Sequence, residues 1–298
     1  MSELIGLSPD QRRLDIEHTT VYQYRRPVKR SSHRLRLHPV EDRYQRILDH
    51  RIEVSVEGTR YEYEDVFGNH VVGFEIDIPY EVLTFAMSAS VEVRAPVDRA
   101  HHIPRAHDLP PTWTPWQEHM MHSYLLPPEL PESQLHELIE YARSLAARNK
   151  GELAATLDDI AWTIHSDYAY KQGFTTVETT PYEVFRSRAG VCQDLANLMI
   201  CLARMLNVPA RYRVGYIYTE ADHDNTTQPE APHAWVEAYV PDVGWRGYDP
   251  THGSRVGLDH VRVAVGRNYR DATPTSGVIH QGGGDDETLT MVVQVAEG

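Results

Sequence analysis

Cys192 follows Gly190-Val191 and opens a strongly apolar run from Leu195 to Leu206. Helix N-termini leave backbone N–H groups unpaired and carry partial positive charge, which favours a cysteine placed there as thiolate, its nucleophilic form. Downstream, Ala231-Pro232-His233-Ala234-Trp235 offers a base, and Trp245-Arg246-Gly247-Tyr248-Asp249-Pro250 offers an acid to orient it. The chemistry these types could perform is acyl transfer. Cys192 attacks a carbonyl, and His233 takes the thiol proton and later returns it to the leaving group. Asp249 holds one ring nitrogen so that the other faces sulfur. The N–H of Cys192 is a natural part of an oxyanion hole.

Positioning these groups requires a buried helix and an antiparallel sheet. Leu195, Leu198-Met199, Leu202 and Met205-Leu206 share one face, and Ala196, Ile200 and Ala203 keep the flanks apolar, so the helix is expected in the domain centre. Val208-Pro209 stops it. From His233 to Val240 side chains alternate: His233, Trp235, Glu237 and Tyr239 share one face, while Ala234, Val236, Ala238 and Val240 share the other. The turn Pro241-Asp242-Val243-Gly244 joins this strand to Trp245–Tyr248, which would bring His233 and Asp249 to the same end of the sheet. Arg211 to Thr219 reads as a further strand. Cys201, nine residues after Cys192, falls on the opposite face of the helix, roughly 13 Å along its axis. It is read as a small buried residue rather than a partner for Cys192 in a disulfide, a metal site or a redox pair.

The remainder of the chain supplies context. Residues 1 to 11 read as a loose leader. Alternation in Tyr22/Tyr24, Leu35/Leu37, Ile52/Val54/Val56, Tyr61/Tyr63 and Ile76/Ile78, with turn signals at Gly58 and Gly68-Asn69, predicts an antiparallel β-sandwich over residues 12–97. It is read as support for the following domain. Residues 98–131 are proline-rich and read as a connector. Its histidines, His101, His102, His107, His119 and His122, fit no metal-ligand spacing and are read as surface loop residues. Residues 132–298 form the predicted catalytic domain. It begins with helices near Leu135–Ala146, Glu152–Tyr168 and Pro181–Arg188. His136-Glu137 lacks the second histidine of a zinc helix, since Glu140 stands there. After the acidic loop 220–232, the chain beyond Asp249-Pro250 reads as irregular until a last strand near Thr288–Val295.

The 298 residues carry 29 Lys+Arg against 43 Asp+Glu, a net charge of −14, which argues against a general nucleic-acid or anionic-membrane surface. The basic stretch Arg25–Arg36 reads as a solvated edge. No apolar run reaches the ~18 residues of a membrane span and no secretory signal is recognisable, so a cytoplasmic location is expected. Asp222-His223-Asp224-Asn225 lacks the glycine and terminal glutamate of a calcium loop. No metal and no cofactor are expected.

Ala189-Gly190-Val191-Cys192-Gln193-Asp194, Pro209-Ala210-Arg211-Tyr212 with Gly215-Tyr216, Pro232-His233-Ala234-Trp235-Val236-Glu237 and Trp245–Thr251 resemble the core of the bacterial transglutaminase-like superfamily. Gly266–Asp271 with Pro274 and Gly277 resembles its C-terminal block. Tyr22-Gln23-Tyr24, Leu35–Pro39 and Phe67-Gly68-Asn69 are similar to the N-terminal region that accompanies such cores. The resemblance implies an α+β protein with a papain-like core, a helix-borne cysteine packed on an antiparallel sheet. It assigns Cys192, His233 and Asp249 the nucleophile, base and orienting roles. Gln193, Asp194 and Trp235 are expected to line or brace the substrate site. Asn197, Leu195 and Asn268 stand where the family commonly has a histidine, an aromatic and an aspartate, which bears on site lining and substrate preference.

The family implies a thioester and a peptide or protein substrate, but not the acyl acceptor. Hydrolysis by a protease or amidase is the expectation from the bacterial branch. Amine transfer by a transglutaminase is the alternative, and a non-catalytic peptide-binding module on the same fold or a thiol redox protein are the other classes.

Overall fold

Alternation sets the first part of the chain. Leu14, Ile16, His18 and Thr20 point inward, each at most 1% exposed, along a strand far longer than its sequence pattern suggests. β1 runs from Gln11 to Leu35, followed by β2 (Gln45–Val54), β3 (Thr59–Glu64), β4 (His70–Ile76) and β5 (Tyr80–Arg94). The computed structural model describes residues 10–95, 107–219, 231–284 and 287–298. Residues 1–9 of the expected leader, His101, His102 and most of the acidic loop, with Asp222–Asn225, lie outside them, and the leader's last residue, Gln11, already belongs to β1.

The helical layer follows: α1 (Pro115–Leu125), α2 (Glu132–Arg148), α3 (Leu153–Asp167), α4 (Pro181–Ser187) and α5 (Cys192–Met205). A short parallel pair, β6 (Ala169–Tyr170) and β7 (Ala189–Gly190), leads into α5. The second sheet contains β8 (Ala210–Ile217), β9 (His233–Val240), β10 (Gly244–Asp249), β11 (Ser254–Arg255) and β12 (His260–Gly266). The chain ends through α6 (Tyr269–Ala272), β13 (Thr275–Gly282) and β14 (Glu287–Glu297). α5 lies against β9 and β8 and buries Leu195, Leu198, Met199, Ile200, Cys201 and Leu202. The second sheet is antiparallel in the order β11-β10-β9-β8-β12. The chain is thus α+β, with a helix-borne cysteine against an antiparallel sheet.

The N-terminal antiparallel unit is a seven-stranded sheet curled about β1, which pairs with β5 and β14 along its first half and with β4 and β13 along its second. The last two strands of residues 132–298 return to this sheet. Pairings such as Leu14 with Glu297 leave no local trace in the sequence. Two expectations change. The connector holds α1, opened by Pro115 in the first turn, where a missing N–H is tolerated, and by Gln117 Oε1, which accepts from both the N–H and the hydroxyl of Thr114. The stretch after Asp249 is also far from irregular. His260-Val-Arg-Val-Ala-Val-Gly266 forms a buried edge strand.

That edge is closed by side chains from the N-terminal sheet. Asn69 donates to Val265 O and accepts from Val265 N, both at 2.7 Å. Gln45 donates to Arg262 O (2.8 Å) and accepts from Arg262 N (2.8 Å). The two amides stand in for a neighbouring strand, satisfying an edge that would otherwise carry open backbone groups. Behind them His18, wholly buried, bonds Tyr216 Oη (2.7 Å) on β8 and Thr20 Oγ1 (2.8 Å). Burial holds its pKa down at about 4.

Asn69→Leu removes both partners of Val265 and should destabilise the protein by about 2–4 kcal/mol, since each unsatisfied buried group costs roughly 1–3 kcal/mol. Urea denaturation measures this. A loss no larger than that of an exposed control such as Glu64→Leu would show that the amide does not hold the edge.

Candidate active site

Gly190 and Asp194 shape the turn that presents the cysteine. Asp194 Oδ2 accepts from Val191 N (2.8 Å) and Thr175 Oγ1 (2.6 Å), tying the start of α5 to the 171–180 loop. A Cβ at Gly190 would lie 2.7 Å from the Asp194 Cβ, so no larger residue fits without displacing that brace. Asp194 N and Leu195 N both bond Val191 O. Cys192 N–H, at the first helical position, has no intrahelical partner and lies next to its own sulfur. Cys192 is half-buried.

His233 opens β9 and Asp249 closes β10. Trp235, wholly buried, seats against Gly215 on β8, where a Cβ would lie 2.7 Å from its ring and closer still to Val261 O. The sheet registers, Tyr248 opposite Val236 and Gly215 opposite His233, bring the imidazole and the carboxylate together. His233 Nε2 lies 2.7 Å from Asp249 Oδ2. Nδ1 is the ring nitrogen left free of that carboxylate, and the Cys192 sulfur lies close enough to the imidazole to act on its charge. Burial alone would push the His233 pKa down. The Asp249 carboxylate reverses this and, with the sulfur, raises it to about 10.

Asp249 has no exposed surface and is densely solvated by protein. Burial opposes its charge, yet His233 and the surrounding donors hold its pKa well below the usual carboxylate range. Oδ1 accepts from Thr251 N (2.9 Å) and His252 N (3.3 Å). Oδ2 also accepts from His252 Nδ1 (2.8 Å) and His260 Nε2 (3.2 Å). Gly257 N–H faces His260 Nδ1 at 3.4 Å, and burial pushes the His260 pKa down against the pull of Asp249. His260 is therefore a neutral donor through Nε2. Ligand atoms of His233, Asp249 and His260 lie within 4.8 Å of one another, close enough to chelate a cation only by displacing these hydrogen bonds.

The structure brings Cys192, His233 and Asp249 together. It separates the other three site candidates. Gln193 is half-buried beside the cysteine, whereas Asp194 and Trp235, at 1% and 0% exposure, brace and pack rather than face a substrate. Cys201 is buried, and burial pushes its thiol up to about 12. His252 and His260 carry no signal in a triad search. His260 could have been found by recognising its strand, a six-residue alternation ending at Gly266.

A helix-borne thiol, a buried imidazole and a buried carboxylate thus meet where an antiparallel sheet packs on a buried helix. Residues 14–92 match the bacterial transglutaminase-like N-terminal region, and residues 139–250 match the transglutaminase-like superfamily core. The uncharacterized Mycobacterium tuberculosis protein Rv2569c is 30% identical over 287 residues, covering 90% of this chain and 88% of its own. The chain belongs to the bacterial transglutaminase-like superfamily. A Cytophaga hutchinsonii protein, described as a candidate cysteine protease, superposes with a TM-score of 0.75 at 22% identity, over 96% of this chain and 91% of that one. A segment of a Pseudomonas aeruginosa protein-glutamine gamma-glutamyltransferase is 32% identical over 93 residues, 30% of this chain and 14% of the relative. No helix among the described residues is long and apolar enough to cross a membrane.

The raised His233 pKa has a definite sign in stability. The folded state holds the proton more tightly than the unfolded chain, whose value is 6.5, so the contribution is complete below pH 6.5 and is lost as pH rises toward about 10. The melting temperature should fall across that window, and His233→Gln should flatten the fall. An equal slope in the variant would show that this pair does not hold the proton.

Proposed function

We propose that this protein is a cysteine-dependent amide hydrolase, a protease or amidase, working through Cys192, His233 and Asp249. The observation that carries the reading is the 2.7 Å hydrogen bond between His233 and the fully buried Asp249, with the half-buried Cys192 sulfur close enough to the imidazole to act on its charge. The Cys192 thiolate attacks the substrate carbonyl, and the negative oxygen is stabilised by the Cys192 N–H. The His233 imidazolium passes its Nδ1 proton to the departing amine, leaving a thioester. Water then attacks the thioester while His233 accepts its proton, and collapse releases the acid and returns the proton to the thiol–imidazole pair. Asp249 stays ionised throughout, orienting the ring and stabilising its cation. Water as acceptor is the expectation that accompanies the bacterial branch of the superfamily. Transfer to an amine follows the same first half-reaction, and similarity to a glutamyltransferase segment keeps it as the second reading.

Mass spectrometry of glutamine-containing peptides, incubated with the protein alone and with an added primary amine, distinguishes these outcomes. Hydrolysis yields cleaved or deamidated peptide that Cys192→Ala abolishes, and Asp249→Asn lowers turnover by on the order of 10³–10⁴-fold. An amine adduct formed in preference to hydrolysis would make the protein a transglutaminase. Failure of iodoacetamide at neutral pH to alkylate Cys192 faster than a free thiol would remove the enzyme reading and leave a peptide-binding module.

A further inference from the structure

Between the N-terminal sheet and the core lies a cavity of about 500 Å³, within the range of small-molecule sites. Neither Cys192 nor His233 lines it. Its walls are largely apolar, with Val93, Leu153, Val240, Val243, Trp245 and Val256 among them. Most of its charged groups are already committed. Arg262 makes a two-pronged pair with Asp42 (2.9 and 2.7 Å), and Arg255 makes one with Asp158 (2.7 and 2.5 Å). Arg94 pairs with Glu92. Glu237 is held by Arg211 and Arg213, and Glu152 caps α3 by accepting from Ala154 N and Ala155 N.

What is left over has one character. Arg246 has no carboxylate partner among the described residues and, with Asp158, Arg255 and Glu152, lies close enough to the Tyr248 hydroxyl to act on its charge, and that hydroxyl makes no hydrogen bond among the described residues. His107 Nε2 also borders the cavity. It is buried and unbonded, standing 3.6 Å from Asp242 Oδ2, too far for a hydrogen bond. A surplus guanidinium and two open polar groups, set in an apolar wall, call for acceptor oxygens carried on an apolar body.

We propose that this cavity is a second ligand site, which takes a small organic carboxylate with an aromatic or aliphatic body, its carboxylate on Arg246 and the Tyr248 hydroxyl. The site adjoins the triad from behind. His260 forms part of the cavity wall and donates to Asp249, while Gly257, also in the wall, donates to His260. An occupant therefore bears on the Asp249 carboxylate through His260; this coupling, unlike the binding itself, rests on the Cys192–His233–Asp249 reading.

Phenylacetate is the probe, with neutral phenylacetamide and body-less acetate as comparators, titrated calorimetrically into the full chain. Phenylacetate should bind saturably in the millimolar range or below, and both comparators more weakly. Arg246→Leu should weaken it by about tenfold or more, the equivalent of one charge-assisted hydrogen bond, while Arg246→Lys retains part of the affinity. Ala154→Phe, which fills the cavity from the start of α3, should abolish binding, and thermal melting of each variant confirms its fold. Absence of saturable heat, equal binding of acetate, or affinity unchanged in both Arg246→Leu and Ala154→Phe would overturn the site. At saturation the iodoacetamide rate at Cys192 should change in the natural protein and not in Arg246→Leu. Binding with no rate change would overturn the coupling alone. An unreactive Cys192 would defeat the hydrolase reading, while the calorimetry still decides the cavity.

Discussion

A carboxylate with no exposed surface is the constraint around which this protein is arranged. An ionised group removed from water must recover its solvation from the protein, and Asp249 does so with three imidazole rings and two backbone N–H groups. Those donors come from β9, from the turn after β10 and from β12, so satisfying one side chain aligns three parts of the second sheet. The same negative charge sustains the His233 cation, and His233 in turn reaches the thiol at the start of α5. The buried helix and the sheet meet where that sequence of interactions closes.

The N-terminal sheet belongs to this arrangement as well. β12 carries His260 and lies at an edge, where its outward N–H and C=O groups need partners. Gln45 and Asn69 provide them, and the backbone of Val40 adds a further bond to Arg262 O. The sheet therefore does more than shield the core from water. It completes the strand that presents His260 as a donor to the Asp249 carboxylate. The return of β13 and β14 to β1 ties the chain's last segment into the same assembly.

Much of the site was legible locally, because local rules govern those parts. The turn at Gly190, the apolar circumference of α5 and the two-residue alternation of β9 are properties of neighbouring residues, and the hairpin to β10 follows from its turn. The proline-rich stretch misled for a related reason. Pro115 breaks a helix only from within and is well tolerated at its start, so α1 lay hidden under a composition that suggested a connector. The valine alternation of β12 is visible in the sequence, but a short apolar run says little until its edge has a partner.

By itself, the sequence determined the α+β class and the buried helix that begins at Cys192, through periodicity and spacing, and the superfamily, through the resemblance of its motifs. Only the tertiary structure decided which ring nitrogen of His233 meets Asp249, that His252 and His260 share the same carboxylate oxygen, and that Asp194 and Trp235 are buried supports. It also decided that the final strands complete the first sheet. The physical reason is common to all of these. Burial and hydrogen-bond satisfaction are set by how elements meet in space, across the 16 positions between His233 and Asp249 as across the 196 between Asn69 and Val265, and no local pattern encodes which group will supply the missing donor.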